Sequence, residues 1–181
     1  MTNKILKEVK AELHKGVTEK GHPFRYCILA TVGLENIPRQ RTIVLRELGD
    51  DLHLNFYTDL RSKKIIHIHE NKKVSLMFLH PEKLLQIRVE GLAKIHRDQA
   101  TLDKHRKNLQ AMNKKNFTTS AAPGTAIANP NAVDYLKDAD YFCVVEVNPF
   151  KIEYLKLEHP NHIRVRFARE GADWAGEYLV P

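Results

Sequence analysis

Between Phe24 and about His96 the chain is a succession of short β-rich runs separated by turn residues. This succession constrains the fold more than any other feature of the 181-residue sequence. Phe24 to Val32 is β-rich, Gly33-Leu34-Glu35-Asn36 forms a turn, and Ile37 to Leu48 is a second strand closed by Gly49-Asp50-Asp51. Leu52 to Thr58 alternates cleanly, with Leu52, Leu54 and Phe56 on one face and His53, Asn55 and Tyr57 on the other. Lys73 to Leu79 and Leu84 to Ile95 follow, joined through His80-Pro81-Glu82-Lys83. A short helix opened by Ser62 is the one interruption of this antiparallel meander.

The flanks add helices and further strands. Ile5, Leu6, Val9 and Leu13 recur at helical spacing, which predicts a helix over about 4–16 stopped by Gly16. Asp98 is an N-cap residue for a helix running to about Asn113, with Leu102, Leu109 and Met112 on its apolar side. Residues 114–130 lack periodicity, as a functional or mobile loop does, and a helical turn follows near Ala132 to Lys137. Strands return at Tyr141 to Val147, Lys151 to Leu157, His162 to Arg169 and Trp174 to Leu179. The expected architecture is mainly β (α+β): one domain over residues 1–181, a small barrel with flanking helices and a helical and loop insert at about 98–137.

Composition removes several function classes. Hydrophobic residues at 43% and charged residues at 28% describe an ordinary globular chain, not a disordered one. No run approaches the roughly 18 apolar residues of a membrane span. Met1-Thr2-Asn3-Lys4 leads into an amphipathic stretch, not a signal-peptide core, and Cys27 and Cys143 sit in apolar runs without metal or redox spacing. A cytoplasmic protein with reduced core thiols is expected. The 29 Lys+Arg against 22 Asp+Glu leave a charge of +7, which points to an anionic partner: nucleic acid, a membrane surface or a phosphorylated small ligand. The positive residues are scattered and no basic strand is interleaved with aromatics, so nucleic acid is disfavoured. Among ten histidines only His67 and His69 are close, and in a helix two such residues diverge, so no metal is expected. Dinucleotide, Walker and nucleophile-elbow signatures are absent from the sequence.

Three segments carry chemistry. Phe56-Tyr57-Thr58-Asp59-Leu60-Arg61-Ser62-Lys63-Lys64 leaves a strand and enters a helix at Ser62. Lys63 and Lys64 then lie at the positive end of the helix dipole, a small penalty in water and a benefit beside a phosphate. Both outcomes fit this segment alone. In Arg39-Gln40-Arg41-Thr42-Ile43-Val44-Leu45-Arg46, Arg39 and Arg41 share a strand face and Arg46 takes the other unless a bulge intervenes. A cation in such an apolar run needs a partner or a solvent-facing side. Gln86, in Leu84-Leu85-Gln86-Ile87-Arg88-Val89-Glu90-Gly91, can both donate and accept, which suits a heterocycle edge, and it equally fits the outward face of an ordinary strand.

In order and separation, RTIVLR at 41–46, FYTDLRSKK at 56–64 and LLQIRVEG at 84–91 resemble the pyridoxamine 5′-phosphate oxidase family of FMN-binding split barrels. The likeness is strongest over 41–96 and resumes at IEYL (152–155), Arg166-Phe167 and Trp174 to Pro181. The resemblance implies a six-stranded antiparallel split β-barrel, FMN as cofactor, and a site at a homodimer interface. It implies that Arg41 and Lys64 hold the FMN phosphate with Lys63 and Thr58 nearby. Arg46, Tyr57 and the strand residues Thr42, Ile43 and Val44 would line the flavin and its ribityl chain. Gln86 would bond the ring edge, and Arg166 would approach the ring from the C-terminal part.

The departures concern substrate more than cofactor. Pro123-Gly124, followed by Thr125, stand where the family has Gln-Ser against FMN, and Leu155 stands where it has a tryptophan. The family's Arg-x-His substrate pair falls at His162 and Arg164 with the types reversed, and its substrate-phosphate Tyr, Arg and Ser fall at Arg106, Gln110 and Lys114. The leading expectation is an FMN-dependent oxidoreductase of unassigned substrate. A pyridoxamine or pyridoxine 5′-phosphate oxidase with an altered pocket, and a non-catalytic flavin or haem binder, are the alternatives.

Overall fold

The computed structural model describes residues 1–109 and 114–181. α1 (Thr2–Thr18) is followed by a 3-10 turn at Pro23–Arg25 and then β1 (Tyr26–Val32), β2 (Pro38–Val44), β3 (Glu47–Leu48) and β4 (Leu54–Asp59). α2 (Lys63–Glu70) leads to β5 (Lys73–His80) and β6 (Leu85–His96), and α3 (Gln99–Arg106) opens the insert. β7 (Phe142–Lys156), β8 (Ile163–Glu170) and β9 (Asp173–Tyr178) complete the chain. No helix among the described residues is long and apolar enough to cross a membrane.

The strands form one antiparallel sheet of nine, ordered β2-β1-β5-β6-β7-β4-β3, with β8 and β9 added beside β7. The expected count of six is therefore corrected, for two physical reasons. First, the run 37–48 is not one strand. Leu45 N–H still bonds the Arg25 carbonyl beside β1, whereas Arg46 N–H bonds the Asn55 carbonyl beside β4, so the chain changes partners between them. That change of partner closes the ring, since β2–β3 links β1 to β4. Second, β7 outlives the barrel: its Phe142–Val147 half pairs with β4, and its Lys151–Lys156 half pairs with β8. The closed ring has six passes of chain, and the β8–β9 hairpin is an extension from it.

β7 also corrects the expected break at Asn148-Pro149. Gly91 pairs with Pro149 and Glu90 with Lys151, a bulge that leaves Phe150 as the extra residue. Proline's missing N–H falls where the ladder is already irregular, so the strand bends and continues. At the insert, Asp98 caps α3 as expected, accepting Thr101 N–H at 2.9 Å. The segment expected as a helical turn at 132–137 is instead a 3-10 turn at Pro130–Ala132 followed by a bridge of Tyr135 to Thr119. The helix expected to run to about Asn113 ends instead at Arg106, with a turn at 107–108, and positions 110–113, with Gln110 and Met112, lie outside the described residues.

The core fills the barrel and is capped from outside. Leu29, Phe56, Phe78, Ile87, Val145 and Phe167 are buried within it, and Ile5, Val9 and Leu13 of α1 join the same cluster. Each such side chain contributes on the order of 1.5–3 kcal/mol on burial. A smaller cluster of Leu102, Leu109, Phe117, Phe142 and Val144 lies under α3, with Tyr57 packed against it. Cys27 and Cys143 are free and buried, and burial pushes both thiols up to about 12, so neither is a reactive thiolate.

Candidate functional site

The end of β4 and the start of α2 are shaped by Asp59. Its Oδ1 accepts the Arg61 backbone N–H at 2.8 Å and its Oδ2 accepts Arg61 Nη2 at 2.7 Å. Arg61 also donates to the Thr119 and Ser120 carbonyls at 2.8 and 2.9 Å and lies 3.3 Å from the Tyr141 ring centroid. Arg61 is thus committed to structure, fastening the insert to this turn. Ser62 occupies the N-cap position of α2 but makes no capping bond, because its hydroxyl turns to Thr58 Oγ1 at 3.4 Å.

Two cations meet here. Lys64 Nζ donates to Thr58 Oγ1 at 2.8 Å, and Arg41, on β2, donates to Thr31 Oγ1 at 2.6 Å and to the Leu29 carbonyl at 3.4 Å. Burial lowers the Lys64 pKa below the usual lysine value, and the charge of Arg41 lowers it further. Burial likewise lowers that of Arg41, with Arg39 adding to the effect. A third cation, Arg46, sits 5.7 Å from the Tyr57 ring centroid, its pKa lowered by burial and by Arg25. Arg39, Arg61, Arg88, Arg106, Arg164 and Arg166 each pair with a carboxylate. Arg41, Arg46 and Lys64 form no ion pair among the described residues. Arg41 and Lys64, partly buried, acting on one another and without carboxylates, make a cradle that favours an anion, and Arg46 lies apart against Tyr57.

The remaining sequence-predicted residues divide into groups. Tyr57 donates its phenol proton to Glu47 Oε1 at 2.8 Å, and the same oxygen receives His105 Nδ1 at 2.8 Å and Asn108 Nδ2 at 3.2 Å. Burial raises the Glu47 pKa, but these bonds more than offset it and hold the carboxyl low, while burial and Glu47 push the Tyr57 phenol well up. Arg41 and the buried Ile43 lie on one face of β2, and Thr42 and Val44 on the other. Lys63 is exposed and lines a cleft of about 330 Å³ with Arg39, Gly33 and His67.

Gln86 and Arg166 do not touch the cradle. Gln86 pairs with Leu79 and Leu155, and Arg166 pairs with Glu153 and is held by Glu177 at 2.6 Å, both on the outward face of the sheet. Between them Glu153, almost fully buried, binds Arg88 at 2.9 Å and Arg164 at 2.8 Å. Sequence reasoning missed Thr31, which bonds Arg41, Glu47 and His105, which bond Tyr57, and His67, which is tied to the site through Thr31. No local pattern marks them.

Residues 6–97 match the model of the pyridoxamine 5′-phosphate oxidase FMN-binding domain, just over half of the chain. The chain belongs to this family. Its cofactor is FMN. A pyridoxine/pyridoxamine 5′-phosphate oxidase of Wolbachia pipientis wMel is 29% identical over 171 residues, covering 84% of this chain and 76% of that relative. A shorter match, 40% identical over 63 residues, covers 35% of this chain and 29% of the same-named enzyme of Thermosynechococcus vestitus. Among solved structures, a pyridoxamine 5′-phosphate oxidase-related FMN-binding protein of Nostoc punctiforme PCC 73102 shares the fold with a TM-score of 0.80 at 24% identity, covering 97% of this chain and 96% of that one. PhzG of Burkholderia lata 383, solved with tetrahydrophenazine-1-carboxylic acid, gives 0.79 at 20% identity over 99% and 92%.

Proposed function

We propose that this protein is an FMN-dependent oxidoreductase acting on a small molecule, with the flavin bound where two copies of the chain meet. The observation that carries the reading is the trio of partly buried cations, Arg41, Arg46 and Lys64, left without carboxylates inside an FMN-binding domain. In this reading Arg41 and Lys64 hold the phosphate, with Thr58 orienting Lys64 and Lys63 adding positive potential from the surface. Arg46, Tyr57 and the strand residues Thr42, Ile43 and Val44 flank the ribityl chain and ring. The redox chemistry is the flavin's own when it is bound, and the chain supplies binding, orientation and a fixed electrostatic environment. Gln86 and Arg166, on the outward sheet face, serve the ring edge of a site completed by the second copy.

The pyridoxal-phosphate oxidase reading is favoured by the name of the Wolbachia relative. Arg164 opposes it: the residue standing at the family's substrate position is already bound to Glu153 through Nε at 3.2 Å and Nη2 at 2.8 Å. Formation of pyridoxal 5′-phosphate above the rate of free FMN would establish that reading, and no turnover would close it. The main proposal is tested by titrating the purified chain with FMN and with riboflavin. Tight stoichiometric FMN binding is expected, with Lys64→Ala weakening FMN by about 10–100-fold, the range for a lost hydrogen bond to a charged group. Riboflavin, lacking the phosphate, should bind the variant as it binds the original chain. Absence of FMN binding, or indifference to Lys64→Ala, would sink the assignment.

A further inference from the structure

We infer that Thr31 and His67 are positioning residues that aim Arg41 at the FMN phosphate while leaving its positive charge uncompensated. The inference rests on the reading above that Arg41 and Lys64 meet that phosphate.

Hydrogen accounting fixes the direction of the chain of bonds. A guanidinium can only donate, so at 2.6 Å Thr31 Oγ1 accepts from Arg41. Thr31 is 1% exposed, so its own hydroxyl proton has no bulk water to meet. His67 Nδ1, 3.1 Å away, is the acceptor within reach, which places the neutral ring's proton on Nε2. The relay therefore runs from Arg41 on β2, through Thr31 on β1, to His67 on α2.

The helix end of the relay is equally fixed. Lys64 and His67 are three residues apart on α2 and share a helix face, so one element presents Lys64 to the cradle and His67 to Thr31. α2 is seated against the β1–β2 turn, where Glu70 accepts the Leu34 N–H at 2.9 Å. A side chain at Gly33 would meet Glu70 and would come within 3.2 Å of the His67 ring. The Glu70 carboxylate is the far end of a flexible side chain and could move, so it is the His67 ring that makes a small residue at Gly33 favourable for this close approach of α2.

The choice of residue types gives the arrangement its purpose. Elsewhere in this chain arginines are held by carboxylates, as Arg39 is by Glu35, Arg61 by Asp59 and Arg166 by Glu177. A carboxylate at position 31 or 67 would orient Arg41 equally well, but it would neutralise the guanidinium and repel a phosphate. A hydroxyl backed by a neutral imidazole supplies direction without negative charge. Arg41 and Lys64 repel one another, and a rigid neutral brace keeps Arg41 in place before the ligand arrives. That is preorganisation: the ordering cost is met on folding instead of on binding.

The test is the ratio of riboflavin to FMN dissociation constants, which isolates the contribution of the phosphate, measured on the full-length chain by flavin fluorescence. Thr31→Val preserves the β-branched shape and removes the hydroxyl, and it should lower the ratio by about tenfold. Thr31→Ser should restore it to within about threefold of the original. His67→Leu should lower the ratio in the same direction, and His67→Asn, whose Oδ1 can take the place of Nδ1, should recover it. A Thr31→Val chain in which both flavins are weakened by the same factor, or neither is weakened, leaves the ratio unchanged and overturns the inference, as does failure of Thr31→Ser to recover. If Thr31→Val does not fold, the two His67 variants decide by the same ratio. Arg41→Ala and Lys64→Ala separate the two claims: if they leave the ratio unchanged, the phosphate assignment falls and this inference with it. If they lower it while the Thr31 and His67 variants do not, only the inference falls.

Discussion

At the scale of single residues, the site is a problem of keeping like charges together. Lys64 has its pKa lowered by burial and by Arg41, so in the free protein it loses its proton at a pH below the usual lysine value of 10.5. A bound phosphate favours the protonated form. FMN affinity should therefore be flat near neutrality and fall as pH rises toward that lowered value, while riboflavin affinity stays level. Lys64→Arg should abolish the alkaline loss, because a guanidinium stays charged across the range. Flavin titrations from about pH 7 to about pH 10 decide it, and an unchanged loss in Lys64→Arg would place the titrating group elsewhere. Lys64 and Thr58 were legible in the sequence because strand, turn and helix bring them together over six residues. Thr31 and His67 were not, because the contact that makes them matter spans 36 residues and exists only once α2 lies against β1.

At the scale of elements, two junctions hold the barrel in shape. α1 is fastened by Glu12, a buried carboxylate gripped by Lys83 at 2.6 and 2.7 Å, with Lys15 at 3.3 Å and His22 at 3.4 Å. Burial pushes the Glu12 carboxyl up, but Lys83 and Lys15 more than offset it and hold it below 4.5, while burial and Lys83 lower His80 below 6.5. Both groups have depressed folded-state values, so their stabilisation is present above the unfolded values and lost as pH falls through the folded ones. The melting temperature should decline first below about pH 6.5 and again below about pH 4.5, and Glu12→Gln should flatten the second decline. An identical acid profile in Glu12→Gln would show that Glu12 is not its source. The second junction is the bulge, where a Cβ on Gly91 would lie 2.7 Å from both the Asn148 carbonyl oxygen and Val147 Cγ1. Gly91→Ala should cost about 1–3 kcal/mol in denaturant unfolding, and a neutral result would mean that β7 yields there. Period-two alternation made β4 and β6 legible. It misjudged the run 37–48 and the long β7, because a change of strand partner and a proline opposite a bulge are set by pairing, not by local pattern.

For the whole molecule, the question is what covers the outward sheet face. Tyr26, Ile28, Leu79 and Leu84 are 59%, 43%, 57% and 54% exposed, and the first three lie side by side on β1 and β5. Tyr26 pairs with Val44 and Leu79 pairs with Gln86, so this surface joins the C-terminal end of β2 to Gln86 across three strand spacings, about 14 Å. The net charge of +7, which as composition admitted nucleic acid, now has a narrower content: among the described residues six arginines are paired with carboxylates, while Arg41, Arg46 and Lys64 are not. A second copy laid on the face would bury the apolar residues and bring its own Gln86 and Arg166 toward the cradle. A stable two-fold contact needs roughly 1,200–2,000 Å² in total, within reach of a face several strands wide. Ile28→Arg, at the centre of the face and on the side of the sheet opposite Arg41, should convert a dimer to a monomer in sedimentation equilibrium. It should also weaken FMN binding, although no cradle residue has changed. A monomeric original chain that binds FMN tightly would refute the shared site. A dimer untouched by Ile28→Arg would move the interface elsewhere, and Gln86 would then have to reach the flavin within a single chain.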